Sequence, residues 1–285
     1  GPSQKRLYIC SGSDFSEVVD SLTSGGMLLN KKTFMLASRL KDYDTHVKPG
    51  SYVLKRGMGN NAIINILRSG RQTPVKVTFN NVRTIADLAA KVGRQIEADS
   101  ALIYVFMSNP SNYSSDGFTA DNVMTIFLPD TYEMYWTSTP EDFYRRMLRE
   151  SRSFWTPERM EKAHNINLTP VEVSILASIV DDEVAKNEEK PRIAGVYLNR
   201  LRLGMPLQAC PTIKFALNDF TIRRVLDEYL TVDSPYNTYK HTGLPPGPVR
   251  CATKSGIDAV LNAEKHDYLY FAARSDFSGY HYFSR

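Results

Sequence analysis

One segment limits the possible folds of this chain more than any other: "NLTPVEVSILASIVDDEVAK", which begins at Asn167. Thr169, Pro170 and Glu172 stand where a helix N-cap, first position and third position prefer these residue types. An apolar run follows, and Lys186 suits the negative end of a helix dipole. The pattern predicts a helix from Pro170 to about Lys186 that packs against a core.

Three adjacent acids lie near the end of this predicted helix. At ~100° per residue, one broad apolar face is formed by Val171, Ile175, Leu176, Ile179 and Val180. Glu183 falls near the middle of that face, Asp182 at its edge, and Asp181 away from it. Only Glu183 is therefore predicted to face the interior. The following "KNEEK", residues 186–190, is predicted to be a solvated helix end. Asp182→Asn is then expected to have a modest effect on activity, and Asp181→Asn almost no effect on it.

A carboxyl group on an apolar face is costly to ionise, so its pKa rises. A raised pKa is what a general acid needs near neutral pH. Glu183 is thus a candidate catalytic acid. Helical phase leaves a second interpretation open, in which the helix ends early and Glu183 forms a cap or a salt bridge at a domain edge.

The 285 residues exceed one average domain, so two domains are expected. Residues 1–74 contain the pattern strand, helix, helix, strand, which predicts a small βααβ domain. Residues 75–285 alternate between helical and strand patterns and predict a larger mixed domain, with a lead-in region (75–165) and a motif-bearing core (166–285). The predicted fold class is α+β.

Composition excludes several function classes. The formal net charge is +4 without a concentrated Lys/Arg cluster, which does not favour a nucleic-acid partner. The three cysteines lack metal-ligand spacing, and no Gly-rich phosphate loop is present, so we predict no metal and no cofactor. No segment approaches the ~18 apolar residues of a membrane span. The opening "GPSQKR" lacks Met and is typical of a cloning remnant, so an upstream anchor is expected to have been removed.

Several motifs occur in a distinctive order: "LPDTYEMY", the acidic helix end, "VYLNRLRLGM", "LQACPT" and "YNTYKHTGLPPGP". From about residue 120 to the end, this order resembles the YceG-like endolytic murein transglycosylases, the MltG family. Residues 1–74 resemble the LysM-like domain of that family. The family motif is typically Ile-Glu-Lys-Glu, whose second Glu is catalytic. That position matches Glu183, while Asp181 replaces the first Glu.

The resemblance implies a reaction without water. One carboxylic acid protonates the glycosidic oxygen between MurNAc and GlcNAc, and the resulting carboxylate takes the proton of the MurNAc C6 hydroxyl. That hydroxyl closes on C1 and leaves a 1,6-anhydroMurNAc end. A single carboxyl suffices, unlike the pair of ordinary glycosidases.

The same resemblance implies where and on what the protein acts. The substrate would be nascent peptidoglycan glycan strands, with cell-wall synthases as possible partners. The catalytic part would lie on the periplasmic, extracytoplasmic side of the cytoplasmic membrane, held by a single-pass anchor. The alternative is a non-catalytic peptidoglycan-binding scaffold of the cell-wall synthesis machinery.

Candidate sugar-binding residues combine flat rings with hydrogen-bonding groups. They are Gln208, Thr212, Tyr236, Asn237, Thr238, Tyr239 and Tyr132. Two alternatives stay open from the residues alone. "SPYNTYKHTGLPPGP" also fits a surface loop stiffened by its prolines, and "LPDTY" also fits a turn with a core tyrosine.

Three further residues have predicted structural roles. Asn199 and Arg200 follow a helical stripe and are predicted to hold a helix to a loop, and His281 is predicted to be a structural histidine. Cys210 stands where many family members have Asp. Because Cys251 follows a motif that should approach the same cleft, a disulfide between Cys210 and Cys251 is a further hypothesis.

Overall fold

The computed structural model describes residues 3–276 and 278–285. Helices dominate it and the strands form small sheets, which confirms the α+β class. Contacts divide the chain into two compact units. The smaller unit contains Gly1–Thr78, Ala89–Ile103 and Thr131–Phe143, and the larger contains Phe79–Leu88, Tyr104–Asp130 and Tyr144–Arg285. The predicted domain boundary after residue 74 and the LysM-like character of residues 1–74 stay predictions.

The first half of the chain begins with the predicted order strand, helix, helix, strand. Its elements are β1 (Gln4–Ile9), α1 (Phe15–Ser24), α2 (Lys31–Leu40), β2 (Gly50–Lys55), α3 (Asn60–Ser69), β3 (Val75–Phe79), α4 (Ile85–Val92), α5 (Ser100–Met107) and β4 (Asp130–Met134). Short 3₁₀ turns cover Pro110–Asn112, Ser114–Asp116 and Val123–Ile126.

Strands β1 and β2 pair antiparallel, with Leu7 opposite Tyr52. Alternate residues of a strand face opposite sides, so Leu7 and Ile9 enter a core shared with α1, α2 and α3. Arg6 and Tyr8 lie on the other, exposed face. Strand β3 pairs with β4 in a second two-stranded sheet.

The second half is mainly helical. Its elements are α6 (Pro140–Phe154), α7 (Pro157–Asn165), α8 (Pro170–Glu183), α9 (Lys190–Arg202), α10 (Cys210–Ala216), a 3₁₀ turn (Asp227–Thr231), α11 (Lys254–Leu261), β5 (Tyr270–Ala273) and β6 (His281–Ser284). Strands β5 and β6 pair antiparallel and close the chain.

Helix α8 forms the centre of the larger unit. The predicted capping box is present, because the Thr169 hydroxyl accepts from Glu172 N and the Glu172 carboxylate accepts from Thr169 N. Helices α7, α9, α10 and α11 all pack against α8. Every residue from Val173 to Asp181 is buried. The helix is therefore enclosed on all sides rather than amphipathic.

Candidate active site

Glu183 is the last residue of α8. The predicted end at Lys186 is wrong by three residues, because Val184 adopts an extended conformation (φ −136°, ψ 128°) and enters the core. A β-branched residue suits that conformation and gains by burial. Glu183 thus lies where the backbone turns out of the helix, with protein atoms around its carboxyl and part of the residue still accessible.

Tyr197 of α9 holds the Glu183 carboxyl in place. Its hydroxyl donates to Glu183 Oε1 at 2.9 Å, and Tyr197 is itself fully enclosed. Burial raises the pKa of Glu183 to about 7; the Tyr197 hydrogen bond opposes this rise, the charge of Asp182 adds to it, and His281 and Lys214 lower it. Burial and the Glu183 charge raise the pKa of Tyr197 well above its usual value, so Tyr197 remains a donor.

Asp182 is bound by two arginines. Its Oδ1 lies 2.6 Å from Arg83 Nη2 and 3.3 Å from Arg250 Nη1, and its side chain is only 7% exposed. The Arg83 guanidinium also lies over the Phe220 ring. Asp182 is therefore an ion-paired carboxylate, and the intermediate burial of the residue agrees with its predicted place at the edge of the apolar face.

Helical phase places Asp181 away from the apolar face, but the structure buries this residue. Its side chain is 1% exposed, Lys190 Nζ lies 2.8 Å from its Oδ1, and Thr253 donates to it through both N and Oγ1. A Cβ on Gly256 would collide with this carboxylate, so the glycine permits the close approach of α11. Asp181 is thus a buried structural anion, and the expectation of almost no effect for Asp181→Asn is withdrawn.

The "KNEEK" segment is also partly buried, contrary to prediction. Lys190 pairs with Asp181, and Glu189 is 5% exposed. Glu189 accepts from His281 through backbone N at 3.1 Å and through Nδ1 at 2.8 Å. The predicted structural role of His281 is consistent with this geometry, because β6 is fastened to the segment that follows Glu183.

The sequence contained a signal for this enclosure. A helix that is apolar all round, rather than along one stripe, is a buried helix. On the side opposite the apolar face, the run "VSILASIV" has the small residues Ser174, Ala177 and Ser178, two of which carry a hydroxyl. Both bond carbonyls of their own helix, and Ser178 Oγ also accepts from Val249 N. Small residues of this kind allow close packing on that side.

Gln208 adopts a left-handed backbone conformation (φ 52°) that is uncommon for a residue with a side chain. Gln208 N donates to Thr238 O at 3.0 Å, and Arg200 Nη1 donates to Gln208 Oε1 at 3.4 Å. The residue is exposed. Strain of this kind persists where surrounding contacts fix it, and it directs the Gln208 side chain outward.

Thr212, Asn237 and Thr238 are buried, and their side chains form hydrogen bonds within and between the segments that carry them. The two threonine hydroxyls lie 2.8 Å apart, and Thr238 Oγ1 accepts from Ala209 N. Asn237 Nδ2 donates to the carbonyls of Leu230 and Val232. These contacts fasten the "YNTY" loop to the start of α10. A supporting role fits this geometry better than sugar contact, and their assignment to the substrate stays a prediction.

Three tyrosines were predicted to line the cleft. Tyr236 packs against Phe215 with ring centroids 4.7 Å apart, and burial raises its pKa to about 12. Tyr239 Oη lies 3.4 Å from Cys210 Sγ; burial and this contact raise the pKa of Tyr239, and the charge of Glu183 adds to the rise. Tyr132 is buried in β4 of the smaller unit, and its place in a cleft stays a prediction.

Two structural hypotheses have different outcomes. Asn199 Nδ2 donates to the carbonyls of His266 and Tyr268, and Arg200 Nε donates to Leu269 O, so both hold α9 to the segment before β5 as predicted. All three cysteines are thiols, so the proposed Cys210–Cys251 bridge is not formed. The sulfurs of Cys210 and Cys251 have separate contacts: Cys210 with the Tyr239 hydroxyl, and Cys251 with the Met124 carbonyl.

Residues 3–276 and 278–285 contain neither a metal-ligand cluster nor a membrane-spanning helix. Among these residues, His, Cys, Asp and Glu side chains form no group of three suited to hold a metal ion. In the same part of the chain, every helix is too short or too polar to cross a bilayer.

The sequence model of the YceG-like family matches residues 7–285, nearly the whole chain. The chain belongs to the YceG-like family. It is 29% identical to the endolytic murein transglycosylase of Bacillus subtilis (strain 168), with 95% of this chain and 79% of that protein covered. It is also 29% identical to an enzyme of the same name from Streptococcus pneumoniae, of which it spans 53%.

A crystal structure of a YceG-like protein from Listeria monocytogenes has a similar fold. The TM-score is 0.64 at 26% identity, with 99% of this chain and 96% of that chain covered. The YceG-like fold therefore extends over both units. It includes the helix end that carries Glu183.

Proposed function

We propose that this protein is an endolytic lytic transglycosylase, a carbon–oxygen lyase that cleaves peptidoglycan glycan strands with Glu183 as the catalytic residue. Relatives bearing that enzymatic name support the activity. One observation supports the residue: among three adjacent acids, Asp181 and Asp182 are ion-paired with cations, whereas Glu183 has a tyrosine hydroxyl as partner.

A carboxyl with a pKa of about 7 is present in both protonation states at neutral pH. In the protonated state, Glu183 can donate to the glycosidic oxygen as the C1–O bond breaks. In the ionised state, it can accept the proton of the MurNAc C6 hydroxyl as that oxygen bonds to C1. The proton gained in the second step restores the acid, so the cycle consumes no water and leaves a 1,6-anhydro end.

Tyr197 serves this cycle as a positioning residue. Its hydroxyl fixes one carboxyl oxygen and stabilises the ionised state, which the apolar surroundings disfavour. The other carboxyl oxygen, Glu183 Oε2, is then the one that contacts the sugar oxygen. Gln208 and Tyr239 are both at least partly exposed. Arg200 donates to Gln208, and the charges of Glu183 and Arg200 act on Tyr239. Both residues are therefore proposed to contact the sugar.

Peptidoglycan lies outside the cytoplasmic membrane, so the proposed substrate implies extracytoplasmic action. A membrane anchor that precedes the present chain, a periplasmic setting, a LysM-like role for residues 1–74 and contact with cell-wall synthases complete the proposal. These four parts rest on the family resemblance.

Product analysis tests the proposal. Wild type and Glu183→Gln are incubated with purified peptidoglycan and with uncrosslinked nascent strands, and the soluble products are weighed by mass spectrometry. The amide keeps the shape of the side chain but cannot exchange the proton, so anhydro-ended products are expected from wild type alone. Reducing ends, one water heavier, would mean a hydrolase. Products of neither kind would favour the non-catalytic scaffold, and normal turnover by Glu183→Gln would remove Glu183 from its role.

A further inference from the structure

The smaller unit contains an open groove of about 970 Å³ on the exposed face of β1. Arg6, Tyr8, Lys76, Arg94, Glu133 and Trp136 contribute to its lining. Every one of these residues belongs to the smaller unit, whereas Glu183 belongs to the larger one. The catalytic role proposed for Glu183 does not use this groove.

An aromatic pair forms one wall of the groove. The ring centroids of Tyr8 and Trp136 are 4.9 Å apart with an angle of 51° between their planes. Tyr8 is 46% exposed although it is large and aromatic. Exposed aromatic rings offer apolar faces to sugar rings, and their hydroxyl and indole N–H groups can bond sugar hydroxyls.

The wall is held rigidly by contacts inside the unit. Glu97 N donates to Trp136 O at 2.8 Å, and the Glu97 carboxylate accepts from Ser11 N and Oγ. Glu97 therefore ties the segment of Trp136 to the end of the strand that carries Tyr8. A preformed surface of this kind loses little conformational entropy when it binds a ligand.

The charges of the groove indicate which saccharide it takes. Arg6, Lys76 and Arg94 contribute three positive charges against the single negative charge of Glu133. Arg6 is fixed by hydrogen bonds from Nη1 to Ser51 Oγ and to the carbonyls of Thr73 and Pro74. Fixed guanidinium and ammonium groups bind carboxylates, so a neutral glycan would leave this surplus unused.

We propose that this groove is a second saccharide site, which binds glycan strands that carry carboxylates. The sugar rings stack on Tyr8 and Trp136, and the carboxylates of the lactyl groups and attached peptides face Arg6, Lys76 and Arg94. The identity of this ligand rests on the proposed function, because peptidoglycan strands combine amino sugars with such carboxylates. The groove then holds the strand at a place separate from the residue that cleaves it.

Binding to the Glu183→Gln variant of this chain tests the proposal. The probes are uncrosslinked peptidoglycan strands, chito-oligosaccharides of equal length and the stem peptide alone, measured by isothermal titration calorimetry. Trp136→Ala in this background is expected to weaken strand binding about ten-fold, the loss typical of a stacking contact. Lys76→Glu with Arg94→Glu should weaken strand binding by at least as much, and these exposed positions do not affect the core.

Matched controls are available in the same unit. Tyr135 is an exposed aromatic residue beside Trp136 but outside the groove lining, and Lys55 is an exposed cation outside it. Tyr135→Ala and Lys55→Glu should leave strand binding unchanged.

Four results would overturn the proposal: undiminished binding by both groove variants, equal loss in both controls, equal affinity for chito-oligosaccharides, or full affinity for the stem peptide alone. The last would make the groove a peptide site. Cleavage by the wild-type protein is measured in parallel. Cleavage without groove-dependent binding rejects only this proposal, and groove-dependent binding without cleavage rejects only the enzymatic one.

Discussion

Lys190 Nζ lies 2.8 Å from Asp181 Oδ1, and their side chains are 7% and 1% exposed. The two residues are nine positions apart, on either side of the turn that follows Glu183. Their pairing joins the end of α8 to the start of α9, and Thr253 adds α11 through two further hydrogen bonds. The ion pair thus fixes the three helices that surround the candidate catalytic residue.

Removing one partner of this pair should destabilise the protein strongly. Asp181→Asn leaves a buried ammonium group without its counter-charge, and such losses cost about 3–5 kcal/mol. Asp181→Leu combined with Lys190→Met removes both charges and should recover most of that loss. Urea unfolding of Asp181→Leu, Lys190→Met and the double variant that combines them measures the coupling. Additive effects of the two substitutions would contradict the pairing.

Asp182→Asn should shift the pH dependence of cleavage toward lower pH. The negative charge of Asp182 contributes to the raised pKa of Glu183, although burial contributes more. Without that charge, and with Arg83 and Arg250 left in place, Glu183 ionises more readily. The alkaline limb of the rate profile, which reports loss of the protonated acid, should therefore move down. An unchanged limb would show that Asp182 does not act on Glu183.

Tyr197→Phe should shift the same limb in the opposite direction. The Tyr197 hydroxyl donates to Glu183 Oε1 and lowers the pKa of Glu183 against the larger effect of burial. Phenylalanine keeps the ring and removes the donor, so the ionised carboxylate becomes less stable and the pKa rises. We also expect a lower maximal rate, because the carboxyl loses an orienting contact. Rate–pH profiles on one soluble glycan substrate compare Asp182→Asn and Tyr197→Phe with wild type. A shift in the same direction for both would contradict the electrostatic arrangement.

Glu183→Gln should make stability less dependent on pH. The folded-state pKa of Glu183 is raised from 4.5 to about 7, so its contribution to stability is fully present below pH 4.5 and is lost as pH rises through 7. The loss is on the order of 3 kcal/mol above pH 7, from 1.36 kcal/mol per pKa unit. Glutamine does not ionise, so the variant should gain stability relative to wild type between pH 5 and 8, as roughly set by these pKa values.

Urea unfolding of both proteins from pH 4 to 8, a range chosen roughly to cover both pKa values, isolates this contribution, because other titrating groups are common to the two. A stability difference that does not change across the range would mean that the Glu183 carboxyl has an ordinary pKa. Glu172→Gln is a suitable control, since Glu172 is a surface capping residue of the same helix.

Local signals in the sequence determined much of the fold. The capping box at Thr169 and the alternating or helical spacing elsewhere predicted most elements up to α8, because caps and periodic burial act over a few residues. Helical phase and family resemblance also selected Glu183 independently. Helical phase by itself left a capping or salt-bridging role open for Glu183, so its catalytic assignment rests on the family resemblance and stays a prediction.

Only the tertiary structure decided the burial of Asp181 and Asp182 and the identity of their charged partners. The side chains of Asp181 and Asp182 are enclosed because α7, α9, α10 and α11 pack around α8, and because the fold brings Lys190 to Asp181 and two arginines, Arg83 and Arg250, to Asp182. Gln208 has a left-handed backbone and contacts Thr238 and Arg200, which lie elsewhere in the chain. Arg83 and Arg250 lie 99 and 68 positions from Asp182, and Lys190 lies beyond the turn that follows α8, so helical phase within α8 does not encode these partners.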